Sequence, residues 1–224
     1  MCVFILHIYN NRFLGVGREL IDVKTEIVKL KESLIKIPIP ESYRDCMSLI
    51  RSDEYRLSGQ NESSLKLILK NFHPFKNSVL FWLRLSQYRE GWLFWLCRIM
   101  HLYASKRYHV QISPFSKIGY GFYIGQGISM IVNSGTIIDN NVSLSQFLNI
   151  GTNHETPALI GDNVYIGPMV CIVEDVKIGN NSTIGAGAVV TKDVPENATV
   201  VGVPAKVLNY NDPGRYVINR FEME

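Results

Sequence analysis

An aliphatic residue returns at every sixth position from Ile112 to Val190. The series runs Ile112, Ile118, Ile124, then Val132, Ile138, Leu144, Ile150, then Ile160, Ile166, Ile172, Ile178, Ile184 and Val190. A helix repeats near 3.6 and a strand near 2, so neither alone makes a period of six. A short fixed period marks a solenoid, and a hexapeptide period marks a β-helix. Glycine follows many of these positions, at Gly119, Gly125, Gly151, Gly161, Gly167, Gly179 and Gly185. Four residues after the aliphatic comes a small or aliphatic residue, as at Thr136, Val142, Val164, Val170, Ser182 and Ala188, with Phe122 the bulky exception. The first residue of each hexad fills an interior, and glycine eases the turn beside it. Three hexads then close one triangular coil of about eighteen residues.

The rest of the chain sets limits. Its 224 residues, 46% of them apolar, suffice for one or two domains with a core. A net charge of +3, with no basic cluster, argues against a nucleic-acid partner. Cys2, Cys46, Cys97 and Cys171 lie far apart. They read as free thiols in a reducing compartment, and no metal site is expected. No stretch is long enough to span a membrane. Residues 1–9 are apolar but short and lack a basic leader, which argues against a signal peptide. The expected location is cytoplasmic.

Three regions are expected: a helical region over 1–109, the β-helix over 110–208 and a tail over 209–224. In the first, helical spacing over 17–37 places Leu20, Val23, Ile27, Leu30 and Leu34 on one side, and Pro38 and Pro40 stop the run. Further helices are expected over 42–58 and over 62–71, with Asn61 or Ser63 as N-cap of the latter. Residues 78–108 read as two helices broken near Gly91 and hold Trp82, Trp92 and Trp95. The aromatic stretch reads as core. Its flanking Arg84, Arg89, Arg98, Lys106 and Arg107 also suit peripheral contact with a membrane surface.

The segments SKIGYGFYIGQG, DNNVSLSQFLNIGT, IGDNVYIGPMVCIV and IGNNSTIGAGAVVTKDVPENATVVGVPAKV, behind a helical region, resemble the hexapeptide-repeat acyltransferases. The resemblance is to their serine acetyltransferase-like branch, which includes capsule and lipopolysaccharide O-acetyltransferases. It implies a mainly β fold, a left-handed parallel β-helix of about four to five coils behind the helices. It also implies a homotrimer and acetyl-CoA bound between neighbouring coils. The terminal signature Val201-Gly202-Val203-Pro204-Ala205-Lys206 is that of acetyl-CoA users.

Acetyl transfer to a hydroxyl needs a base and donors for the oxyanion. Histidine titrates near neutrality. His154 is the one histidine within the repeat, and it sits in the insertion 151–159 that breaks the hexad rhythm. It is the expected base, with Glu155 or Asp139 to orient it. Asn149 and Asn153 are candidates for acceptor hydroxyls or the oxyanion. Gly167 and Gly185, Ala186, Gly187 and Ala188 offer a small-residue face for pantetheine, and Lys192 and Lys206 offer charges for CoA phosphates. Where the branch carries an Asp-His pair, this chain has Gly125-Gln126, and the branch's aspartate-rich helical motif is reduced to Arg51-Ser52-Asp53-Glu54-Tyr55-Arg56. An acceptor with an ammonium and a carboxylate needs charged partners. A neutral carbohydrate, met by Gln126 and Gln146, is therefore the expected acceptor. The alternatives are serine O-acetylation in cysteine biosynthesis and a catalytically degenerate trimeric scaffold.

Overall fold

The computed structural model describes residues 23–30, 33–72, 78–125, 128–151, 156–173 and 175–222. Its frame is a triangular coil of parallel two- to three-residue strands. Equivalent strands on successive turns pair in register, so Ile138 lies on Ile160 and Ile160 on Ile178. The hexad aliphatics point inward and are buried along almost the whole coil, from Ile112 to Val190. Stacked against themselves, they form one continuous core that runs on into the helices.

Two sides of the triangle carry different covers, and the third is open among the described residues. One face is built from Lys117–Ile118, Ile137–Ile138, Leu159–Ile160 and Lys177–Ile178. An antiparallel hairpin, β1 (Thr25–Leu30) and β2 (Ser33–Pro38), lies on it. Val28, Ile35 and Ile37 of the hairpin bury Ile137 and Leu159 of the coil. This hairpin corrects the helix expected over 17–37, of which residues 17–22, 31 and 32 lie outside the described residues. Two of the positions assigned to the buried helical side, Ile27 and Leu34, are instead 63% and 71% exposed. Val28, Ile35 and Ile37 are β-branched and lie on one side of the pair, with Lys29 and Lys36 between them on the other, which suits a strand pair with a face to cover. The helical spacing of the leucines was coincidental.

The second face runs through Tyr123–Ile124, Ser143–Leu144, Tyr165–Ile166, Thr183–Ile184 and Thr199–Val201, and ends with the antiparallel strand Lys206–Asn209. Helix α1 (Tyr43–Ser58) and the C-terminal tail cover it. Ser42 caps α1 by accepting from Asp45 N (3.2 Å), and Gly59 ends it in the left-handed region. From α1, Arg56 donates to Gly121 O (2.9 Å), to Ser143 Oγ (2.9 Å) and to Ile218 O of the tail (2.9 Å). Higher up, Tyr216 of the tail stacks on Tyr165. Helices α2 (Ser64–Phe72) and α3 (Ser78–Leu85) pack behind α1, and α4 (Phe94–Tyr108) leads into the first strand of the coil. Ser63 caps α2, as expected.

A buried ion pair joins helices to coil. Arg84 of α3 meets Asp53 of α1 at 2.7 and 3.0 Å and also donates to Ile118 O and Gly119 O. Asp53 accepts from Phe122 N (2.7 Å), and Ser52 accepts from Gly121 N (3.0 Å). This dock explains Phe122, the one bulky residue in its series: it is buried at the turn that the helices cover.

The third face comprises Val110–Gln111, Met130–Val132, Asn149–Ile150, Cys171–Ile172 and Val189–Val190. Its outward residues Gln111, Ile131, Asn149 and Cys171 are exposed. Among the described residues, no segment of the chain lies over it.

Candidate active site

The open face has two edges, and they differ. Along the first, the chain turns from the tail-covered face onto the open one at 145–148, 167–170 and 185–188. Gly167, Gly185, Ala186, Gly187 and Ala188 all stand here. A side chain at Gly167 would strike Ala186 N and Ile184 O at 2.9 Å, so two successive turns approach here as only glycine allows. Gly187 has φ +69° and nothing within 4 Å of where a Cβ would stand, which leaves its outer side clear. The terminal signature is pinned over this edge: Val189 N donates to Gly202 O (3.0 Å), and Ala205 N donates to Val189 O (2.8 Å). That lays the exposed Lys206 beside the small residues. Gln146 lies on the same edge, one turn below Pro168 and Met169. The structure thus gathers Gly167, Gly185–Ala188, Gln146 and Lys206 into one strip.

The outer residues of this strip are unusual. Phe147 and Met169 hold φ of 59° and 60° and are exposed. Left-handed backbone is costly for large side chains. The equivalent turns on the tail side instead use Asn141, Asn163, Asn181 and Asn197; the last three bond side chain to side chain from turn to turn at 3.1 and 3.2 Å, and Asn141 bonds to the Phe221 backbone. That asparagine series, three residues after the hexad aliphatic, was legible in the sequence and was overlooked.

The second edge carries the turns 133–136, 156–158, 173–176 and 191–194, where the open face meets the hairpin face. The insertion leaves the coil at Gly151 and is anchored again at Thr156, whose carbonyl accepts from Asp175 N (3.1 Å). Asn153, His154 and Glu155 lie outside the described residues, as does Gln126. Lys192 is exposed on this edge, and Asn149 is exposed on the face between the two edges. Two other histidines are accounted for. His101 is buried in α4, where desolvation pushes its pKa down to about 4, and His109 caps that helix in the left-handed region.

Asp139 does not join this set. It stands at the far margin of the hairpin face, among the asparagine turns. There it accepts from Asn140 N (3.0 Å) and Nδ2 (2.7 Å), beside Asp162. The spacing did not reveal this, because a coil sends residues six apart to different corners. Asp139 is therefore held at a corner away from Gly151 and Thr156, the described ends of the insertion. Burial, and then the charge of Asp162, raise its pKa to about 7. An acid whose pKa is raised by folding loses stability as pH climbs from its unfolded value to its folded one, here from about 4 to about 7. Asp139→Asn keeps the acceptor oxygen and removes the charge. It is expected to stabilise the fold by about 2 kcal/mol at pH 8 and by almost nothing at pH 4. Thermal melts at the two pH values check this; equal shifts at both would contradict it.

A cleft opens where the helices meet the lowest turn of the strip. Asp53, Glu54, Leu57, Asn71, Tyr123 and Ile124 line it. Glu54 pairs with Lys70 across it. The acidic segment 51–56, read in the sequence as a remnant, therefore brings carboxylates against the strand that precedes Gln126. The sequence alone could not show this, because the two segments meet only through packing.

The model of the bacterial transferase hexapeptide family (six repeats) matches residues 157–192. The chain is 29% identical over 185 residues to the serine acetyltransferase of Buchnera aphidicola subsp. Schizaphis graminum, covering 74% of this chain and 67% of that one. It is 30% identical over 156 residues to the serine acetyltransferase of Escherichia coli K12, covering 65% and 54%. Soybean serine acetyltransferase complexed with serine superposes with a TM-score of 0.59 at 27% identity, over 75% of this chain and 70% of that one. The chain thus spans about half to two thirds of the length of these curated relatives. The shared architecture is the expected left-handed β-helix behind helices. These findings overturn the carbohydrate acceptor drawn from Gln126: the relatives are serine acetyltransferases, and one is solved with serine. Gln126 and the short acidic segment 51–56 suggest a loss of charged partners, whereas packing brings Asp53 and Glu54 of that segment into the cleft beside Tyr123 and Ile124.

Proposed function

Since the chain belongs to the serine acetyltransferase-like hexapeptide-repeat transferases, we propose that it moves the acetyl group of acetyl-CoA to the hydroxyl of L-serine. The observation that carries this reading is the strip of small residues capped by the terminal signature, open on its outer side at Gly187. The pantetheine arm of CoA lies along Gly185–Ala188 and Gly167, with the CoA phosphates towards Lys206 of the same protomer and Lys192 of the neighbouring one. Its thioester end points down the strip past Gln146 to the cleft at Tyr123 and Ile124. There Glu54 and Asn71 meet the ammonium of serine.

The chemistry follows from the residues. His154 takes the serine Oγ proton as that oxygen bonds to the acetyl carbon, and Glu155 holds the imidazole. Asn153 and Asn149 donate to the oxyanion that forms. Collapse breaks the carbon–sulfur bond, and the imidazolium returns its proton to the CoA thiolate. No metal takes part in this reading. The strip and the described ends of the insertion, Gly151 and Thr156, stand on opposite edges of the open face, so in this reading one protomer's insertion is completed by another protomer's strip. A homotrimer in the cytoplasm supplies that arrangement, with the exposed Phe147 and Met169 at the junction.

The first experiment is CoA release from acetyl-CoA with and without L-serine. Release that depends on serine supports the reading. Measurable acetyl-CoA binding without serine-dependent release would sink it. Lys206→Ala is expected to raise the KM for acetyl-CoA about tenfold with kcat within about twofold, since a phosphate contact far from the thioester binds ground and transition states alike. An unchanged KM would remove Lys206 from the site.

A further inference from the structure

Helix α4 presents two unlike sides. Cys97, His101 and Ala104 are buried against the rest of the molecule. On the opposite side Trp95 and Ile99 are 73% and 61% exposed, and Leu102 and Tyr103 are exposed with them. The spacing 95, 99, 102, 103 draws one ridge along just over two turns, roughly 12 Å. The sequence reading of this stretch as core therefore holds for α3 and for one side of α4 only.

The charge around the ridge has one sign. Lys106 and Arg107 are exposed in the last turn, Arg98 flanks the ridge, and α4 contains no Asp or Glu. At the near end, the guanidiniums of Arg89 and Arg98 lie 4.0 and 5.1 Å from the ring of the exposed Phe115, which extends the apolar surface. Glu90, in the turn before the helix, is the one acidic residue close by in sequence. A second copy placed on this ridge would bury Arg98 and Lys106 against a helix without carboxylates. An anionic surface neutralises them and accepts the tryptophan and tyrosine at its polar–apolar boundary.

We propose that α4 lies flat on an anionic lipid bilayer, with Trp95, Ile99 and Leu102 in the headgroup region and Arg98, Lys106 and Arg107 on the phosphates. No helix among the described residues is long and apolar enough to cross a membrane, so contact would be with the surface. None of the ridge residues lines the cleft, so vesicle binding and serine-dependent CoA release are read independently.

Flotation of the full chain with vesicles tests it, using phosphatidylcholine alone and the same lipid with about one third phosphatidylglycerol. Binding is expected to the anionic vesicles only, screened by salt. It should weaken about tenfold or more in Trp95→Ser/Ile99→Ser and in Lys106→Gln/Arg107→Gln. All four changes are on exposed residues, and an unchanged melting temperature confirms that the variants fold. No binding to anionic vesicles would overturn the proposal, as would binding that both variants retain. Self-association abolished by Trp95→Ser/Ile99→Ser, without vesicle binding, would also overturn it in favour of a second copy.

Discussion

Replacing His154 with alanine is expected to lower kcat for serine-dependent CoA release by about 10²–10⁴, the range over which a positioned general base acts. Acetyl-CoA affinity should stay within about twofold, because in this reading the base acts on the serine hydroxyl and does not hold the pantetheine arm or the phosphates. The wild-type kcat/KM should fall about tenfold per pH unit on an acid limb where the base becomes protonated, and that limb should vanish in the variant. Glu155→Gln should show a smaller loss with the same limb. Neither described histidine can substitute, since His101 is buried with its pKa pushed down to about 4 and His109 terminates a helix. Activity within threefold of wild type in His154→Ala would remove the insertion from the chemistry.

Arg84→Met should unfold or undock the helical region. The guanidinium is fully buried and binds Asp53 through two nitrogens while satisfying two coil carbonyls. Removing one partner of such a pair leaves a buried charge, at a cost of about 3–5 kcal/mol. That is a large part of the 5–15 kcal/mol that holds a typical domain together. The expected result is a melting temperature lower by roughly 10 °C, with early proteolytic cleavage before residue 110. Arg84→Met/Asp53→Leu should recover part of the loss, because no charge is stranded. Recovery stays incomplete, since Phe122 N and the carbonyls of Ile118 and Gly119 still lose their partners. A single variant as stable as wild type would show that the pair contributes nothing to docking.

The segment over 25–38 shows where local pattern misleads. Its leucines and isoleucines fit a helix as well as a strand, and the choice fell to an apolar coil face at Ile137 and Leu159 that only the fold creates. Asp139 shows the same limit in the site. It is close to the hexads in sequence, yet the coil turns it to a corner with Asp162 and Asn140. The cleft shows it again, since Glu54 and Tyr123 are far apart in the chain and meet only through packing.

By itself, the sequence determined the coil, its inward residues, the small-residue strip and the terminal signature. A translational repeat packs each aliphatic on its own counterpart one turn away, so the pattern needs no knowledge of the rest of the chain. The tertiary structure decided which faces of that coil are closed. The hairpin, α1 and the tail do not repeat, and each chose its face through contacts far apart in sequence. They left one side open, and that side joins the strip, Asn149 and the anchors of the insertion.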